Sequence, residues 1–168
     1  MSTTSLMTFE EFERLTYEGK AELIDGEVIT MPPPKVGHME IMIRVFEHLR
    51  AALPAGRVWP DRGGYRVGKG WLEPDVSVSW PDQRMEDEYF VGSPMVAVEI
   101  LSPRDRLEQK LTLFFAHGAM EVWVIDPRHK SMTVYAKEDA VVVRLVVDGV
   151  YHSPALSLTI SLSTVFGG

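Results

Sequence analysis

An acid interrupts a run of residues that is otherwise apolar: Glu99, within Met95-Val-Ala-Val-Glu-Ile-Leu101. Read as a strand with period two, Val96, Val98 and Ile100 share one face, while Met95, Ala97, Glu99 and Leu101 share the other. Burying an ionised carboxylate costs several kcal/mol unless a cation or a metal answers it. Any fold that buries this strand must therefore bring Glu99 a partner.

A second strand-like run, Glu73-Pro-Asp-Val-Ser-Val-Ser-Trp80, places Asp75, Ser77 and Ser79 on one face and Val76, Val78 and Trp80 on the other. If the two strands pair, Asp75 and Glu99 converge. Lys110 follows Glu99 on the next predicted helix. Two carboxylates and a lysine at one point suit metal-dependent cleavage of a phosphodiester. A divalent ion acts as a Lewis acid and acidifies its bound water. Magnesium takes oxygen ligands and often needs only one or two protein carboxylates beside the substrate phosphate. A neighbouring lysine can orient or deprotonate the attacking water, or stabilise charge on phosphorus.

The remaining pattern frames these residues. Thr8 with Glu11 forms a capping box ahead of Phe9-Glu-Glu-Phe-Glu-Arg-Leu15. Glu22 to Met31 reads as a hairpin turning at Asp25-Gly26. Ile41, Val45, Leu49 and Ala52 repeat at helical spacing between Gly37 and Leu53. Residues 57–80 read as two or three strands, and 81–88 as a charged loop. After the Glu99 strand, Ser102-Pro103 reads as a helix start, with Asp105 near its positive end and the helix running to about Ala116. Glu121 to Asp126 follows as a strand, which predicts a parallel crossover unit. Residues 132–136, 140–147 and 157–160 add late strands. With no repeat and no linker, 1–168 is expected to be one α/β domain.

Bulk properties narrow the class. No cysteine is present, which excludes disulfides, thiolate zinc sites and cysteine nucleophiles and fits a cytoplasmic protein. Neither a signal peptide nor a membrane-spanning run is expected. A net charge of −7 runs against nucleic-acid binding. The distribution is uneven, however. Arg57, Arg62, Arg66 and Lys69 cluster with Trp59, Tyr65 and Trp71, against the single acid Asp61. That stretch reads either as a track for a sugar-phosphate backbone or as a solvated hairpin with core aromatics.

The Pro74-Asp75, Glu99 and lysine set resembles the PD-(D/E)XK nuclease superfamily. Leu101 stands where the motif's lysine is usual, and Lys110 matches branches in which the lysine has moved to the following helix. The ordered fragments Ala21-Glu-Leu-Ile-Asp-Gly-Glu27, Gly37-His38, Glu73-Pro-Asp-Val76, Val98-Glu-Ile-Leu-Ser-Pro103, Lys110-Leu-Thr-Leu-Phe114 and Glu121-Val-Trp-Val-Ile-Asp-Pro127 resemble its Uma-type restriction-endonuclease branch. Phe114 and Val122 depart from it, standing where tyrosine is common. The resemblance implies a restriction-endonuclease-like mixed sheet with flanking helices and an αβββαβ core. It also implies a nuclease using Mg²⁺ or Mn²⁺, with Asp75 and Glu99 as metal ligands and Lys110 as the water-activating or charge-stabilising group. Glu22 and His38 are second-tier site residues, with Glu40 a weaker substitute. DNA is the expected substrate, and a homodimer or larger homo-oligomer the expected assembly. Two alternatives stand beside this: an inactive nuclease-fold domain binding nucleic acid or protein, and a hydrolase of small phosphorylated molecules.

Overall fold

The computed structural model describes residues 5–168. The chain begins with helix α1 (Phe9–Arg14), and the Thr8–Glu11 capping box is formed. The hairpin β1 (Ala21–Ile24) and β2 (Glu27–Thr30) turns where expected, with Asp25 and Gly26 at φ 50° and 81°. Both central residues at positive φ make a turn whose twist matches the flanking strands. Helix α2 (Val36–Ala52) buries Ile41, Val45 and Leu49, the predicted apolar stripe.

Residues 57–80 hold four short strands rather than two or three: β3 (Val58–Trp59), β4 (Tyr65–Val67), β5 (Gly70–Leu72) and β6 (Val76–Val78). Gly70 is required where β5 crosses β1, because a Cβ there would lie 2.4 Å from the Leu23 carbonyl oxygen. The expected charged loop at 81–88 contains β7 (Met85–Glu86), which pairs with β8 (Tyr89–Val91). Next come β9 (Val96–Ile100), α3 (Leu107–Ala116) and β10 (Glu121–Asp126). The chain closes with β11 (Ser131–Glu138), β12 (Val141–Val146), β13 (Val150–Ser153), β14 (Leu158–Ser161) and α4 (Leu162–Phe166). The β13 strand and α4 escape sequence reading because each is short and weakly periodic.

One mixed sheet runs β12-β11-β10-β9-β6-β3, with β9 and β10 parallel as the crossover predicted. A second six-stranded sheet runs β2-β1-β5-β4-β8-β7, and β13 pairs with β14. The long α2 covers one face of the first sheet, packing on Val76, Val78, Val96, Val98, Ile100 and Trp123. The opposite face, carrying Ala97, Val122 and Val124, packs against α3 through Phe114 and against Ile24, Tyr65 and Leu72 of the second sheet. Phe114 and Val122, the two departures from the family pattern, are fully buried parts of this apolar layer.

Alternation along β6 and β9 then decides where the acids go. Valines face α2, so Asp75, Ser77 and Glu99 face the space between the two sheets. Among the described residues no helix is long and apolar enough to cross a membrane.

Candidate active site

β6 and β9 are antiparallel, with Val76 opposite Val98. Continuing the register by one residue sets Asp75 directly across from Glu99 on the same face. The backbone tightens this junction: Ile100 N–H donates to Asp75 Oδ2 at 2.7 Å. Both acids are almost inaccessible, at 4% and 3% exposure.

Lys110 enters the same space from α3. Its Nζ lies 3.3 Å from Glu99 Oε2, 2.9 Å from Glu22 Oε1 and 3.4 Å from Asp105 Oδ1. Glu22 comes from β1 of the second sheet and is fully buried. Its Oε2 accepts the Glu73 N–H at 2.8 Å, which ties β1 to the approach of β6. His38, in the first turn of α2, reaches Asp75 Oδ1 at 3.2 Å. The structure thus brings all five expected residues, Asp75, Glu99, Lys110, Glu22 and His38, into one cluster. Glu40 is outside it, paired with Arg44 on the surface of α2.

Sequence reasoning missed Lys20, whose Nζ sits 3.3 Å from Asp75 Oδ1 and 3.1 Å from Asp61 Oδ1. The signal was available. Lys20 and Glu22 are two residues apart at a strand start, so they share a side. Asp105 was read as a partner of the helix dipole. Instead, α3 begins only at Leu107, with no side-chain cap, and Asp105 accepts the Ser102 N–H at 2.7 Å while contacting Lys110. Ser102 therefore caps nothing, because the chain makes an extra turn before the helix starts. The basic aromatic stretch resolves toward the structural reading. Tyr65 is fully buried and bonded to Ser77, Arg57 donates to the Ser79 carbonyl, and Arg66 pairs with Glu10 over the Phe9 ring.

The electrostatics follow from crowding acids in a dry space. Burial pushes the Glu99 carboxyl up to about 8; Lys110 opposes this, while Glu22 and Asp75 reinforce it. Burial also works against the charge on Lys110, but Glu99, Glu22 and Asp105 outweigh it and hold the ammonium well above the usual lysine range. Lys20 is raised the same way, burial being overcome by Asp75, Glu99 and Glu22. Asp75 behaves oppositely. Against its burial, the His38 hydrogen bond and the Lys20 charge hold it below the ordinary carboxylate range. Burial raises Glu73, whose Oε1 accepts from Trp71 Nε1 at 3.1 Å.

The donor set can be tested against a divalent ion. Among the described residues no group of three or more His, Cys, Asp or Glu side chains is gathered tightly enough to hold one alone. A hard cation that keeps several waters needs fewer. Glu99 Oε1 is buried without a hydrogen-bond partner, and Asp75 Oδ1 already draws the Lys20 ammonium and the His38 imidazole. An oxygen donor pair on one face fits a hard divalent cation.

Comparison with known proteins places the chain in a family and identifies its fold. Residues 9–164 match the model of the Uma2 family, described as "Putative restriction endonuclease". The chain belongs to the Uma2 family. Membership makes it a nuclease-family protein, and restriction-endonuclease-like proteins generally use divalent metals. A crystal structure of "a putative nuclease belonging to DUF820" from Anabaena variabilis ATCC 29413 superposes with a TM-score of 0.81. The two share 23% identity, over 96% of this chain and 98% of that one, and the likeness shows a common restriction-endonuclease-like fold. No curated protein matches the chain.

Proposed function

We propose that this Uma2 protein is a divalent-metal-dependent endonuclease hydrolysing phosphodiester bonds in DNA. The observation that carries the proposal is the cross-strand pair Asp75 and Glu99, with the Lys110 ammonium 3.3 Å from Glu99 on the same face. Asp75 Oδ1 and Glu99 Oε1 are the oxygens that would hold Mg²⁺ or Mn²⁺. When bound, that ion supplies Lewis-acid polarisation of the phosphate and a more acidic water.

The chain's own groups divide the remaining work. Lys110, surrounded by three carboxylates, keeps its proton, so its role is to stabilise charge growing on the phosphate oxygens rather than to act as a base. Glu22 and Asp105 position that ammonium. His38 and Lys20 lie on the more open side of Asp75, where an incoming phosphate would meet them. Water oxygen bonds to phosphorus, the bridging P–O bond breaks, and the water's proton leaves to solvent as the departing oxygen takes one up.

The site draws on both sheets and on α3, which supports reading 1–168 as one domain, and the cysteine-free sequence supports a cytoplasmic location. We assign the assembly to a second copy pairing through β12. This edge strand reads Val-Val-Val-Arg-Leu-Val, exposes all six side chains and leaves its outer backbone edge open among the described residues. Such an edge is complementary to another extended strand. An antiparallel twin would align Val141 with the partner copy's β12 end. Sedimentation of wild type and Val143→Lys tests it, with a shift to monomer expected. Cleavage of plasmid with Mg²⁺ or Mn²⁺, abolished by Asp75→Ala, tests the activity.

A further inference from the structure

The end of the first sheet where β9 and β10 finish holds cations as well as the carboxylates. Leu101 N–H donates to the Ile125 carbonyl at 2.8 Å, so the turns that follow the two strands leave side by side. The first carries Arg104 and leads to Arg106, and the second carries Arg128, His129 and Lys130. Segments 102–106 and 126–130 together hold four arginines and lysines against two aspartates. In a chain of net charge −7 that is a local reversal of sign. The opposite end of the same sheet carries Asp82, Glu138 and Asp139 against Arg57 and Lys137.

The acids of the two turns are already answered: Lys110 holds Asp105, and His129 holds Asp126. Arg106 is likewise engaged, with Glu27. Arg104, Arg128 and Lys130 remain exposed, with no acid within ion-pair distance among the described residues. Both turns are fixed by their own hydrogen bonds. Asp105 N–H donates to the Ser102 carbonyl at 3.2 Å. Asp126 Oδ1 accepts the N–H groups of Arg128 and His129 at 3.0 and 3.2 Å. A backbone already ordered lowers the entropic cost of binding there.

The cations also stand at a useful distance from the carboxylates. Val124 lies beside Glu99 in the sheet, and Arg128 follows it by four residues. With strands about 4.8 Å apart and a rise of about 3.3 Å per residue, the two backbones lie within about 15 Å. One strand of duplex DNA presents a phosphate about every 3.4 Å of axis, so about four phosphates span that gap.

We propose that Arg104, Arg128 and Lys130 form a phosphate track that holds the substrate backbone beside the scissile bond, on the β10 side of Asp75 and Glu99. The backbone then crosses the strand ends from the carboxylates to the β10–β11 turn. Such contacts fix position without reading bases, so the track serves every sequence alike. It also lets an acidic protein hold a polyanion, by confining the attraction to one end of one sheet.

This inference rests on the nuclease reading for its substrate, and binding in EDTA tests it without cutting. Two short labelled duplexes of unrelated sequence are titrated by fluorescence anisotropy between about 50 and 200 mM KCl. Arg104→Gln and Arg128→Gln should each weaken binding of both duplexes by about tenfold at the lower salt and reduce the salt slope by about one. Arg128→Lys keeps the charge and should keep the slope. Arg50→Gln removes the same charge from α2, about 18 Å along the helix from His38, and should bind like wild type.

Wild type that does not bind, slopes unmoved by Arg104→Gln and Arg128→Gln, or an equal change in Arg50→Gln would each overturn the proposal. So would a loss confined to one duplex, which would report base contacts instead. Cutting by wild type with unmoved slopes would refute the track alone; the expected slopes without metal-dependent cutting would refute the nuclease reading alone.

Discussion

Lys110 and Glu22 meet at 2.9 Å in a space sealed from solvent, joining α3 to β1 of the second sheet. The contact makes one ammonium answer to several acids, since Glu99 and Asp105 approach the same nitrogen. Its removal strands buried charge. Lys110→Met should therefore cost about 3–5 kcal/mol in urea unfolding. Adding Glu22→Gln to that variant should restore part of the loss, because one of the orphaned acids becomes neutral. A double variant no more stable than Lys110→Met would contradict this.

The raised Glu99 pKa makes stability fall as pH rises. Its folded value of about 8 lies above the 4.5 of an ordinary glutamate, so between these values the folded state binds more protons than the unfolded chain. The stabilisation is complete below about 4.5 and is lost as pH climbs through about 8. Without metal, the Tm should decline from pH 5.5 to pH 8.5, and Glu99→Gln should flatten that decline. Saturating Mn²⁺ should offset it in wild type, since a ligand bound only to the folded state stabilises it.

A second buried acid serves as a comparison. Glu121 faces the α2 side of β10, where its Oε1 accepts from Trp123 Nε1 and the Tyr151 hydroxyl and its Oε2 from Ser153 Oγ and the Ala155 N–H. Every lone-pair direction is used, and its partners fasten β13. Tyr151→Phe should cost about 1–3 kcal/mol of stability and leave metal-dependent cutting intact. Loss of cutting at full stability would place Glu121 in the chemistry.

The difference between Glu121 and Glu99 marks how much could be read from the chain. Period-two alternation was enough to put Asp75 and Glu99 on one face, because valines fix the orientation of β6 and β9. The crossover through α3 and the hairpin at Asp25-Gly26 were equally legible, being local. The partners from other elements were not. Lys20 reaches Asp75 and Asp105 reaches Lys110 only after two sheets pack face to face and an extra turn delays α3. The second sheet itself is built from strands of two to four residues, too short for periodicity to register. Arg57, Tyr65 and Arg66 looked like a binding track because their partners, Ser79, Ser77 and Glu10, are settled by tertiary contact.

Lys20 competes with a cation for Asp75 Oδ1. Lys20→Met should bind Mn²⁺ more tightly in calorimetry, by roughly tenfold or about 1.4 kcal/mol. The same variant should cut more slowly if Lys20 also meets the incoming phosphate. Unchanged Mn²⁺ affinity would show that the ammonium moves aside freely.

The central claim is that Asp75 and Glu99 form a working metal centre for phosphodiester hydrolysis. It is tested most directly by incubating supercoiled plasmid and short single-stranded DNA with Mg²⁺ or Mn²⁺ and wild type, Asp75→Ala or Glu99→Ala. The account predicts metal-dependent cutting by wild type that both substitutions abolish while the fold, followed by circular dichroism, is retained. Wild type that does not cut with either ion, or folded variants that cut as well as wild type, would contradict it.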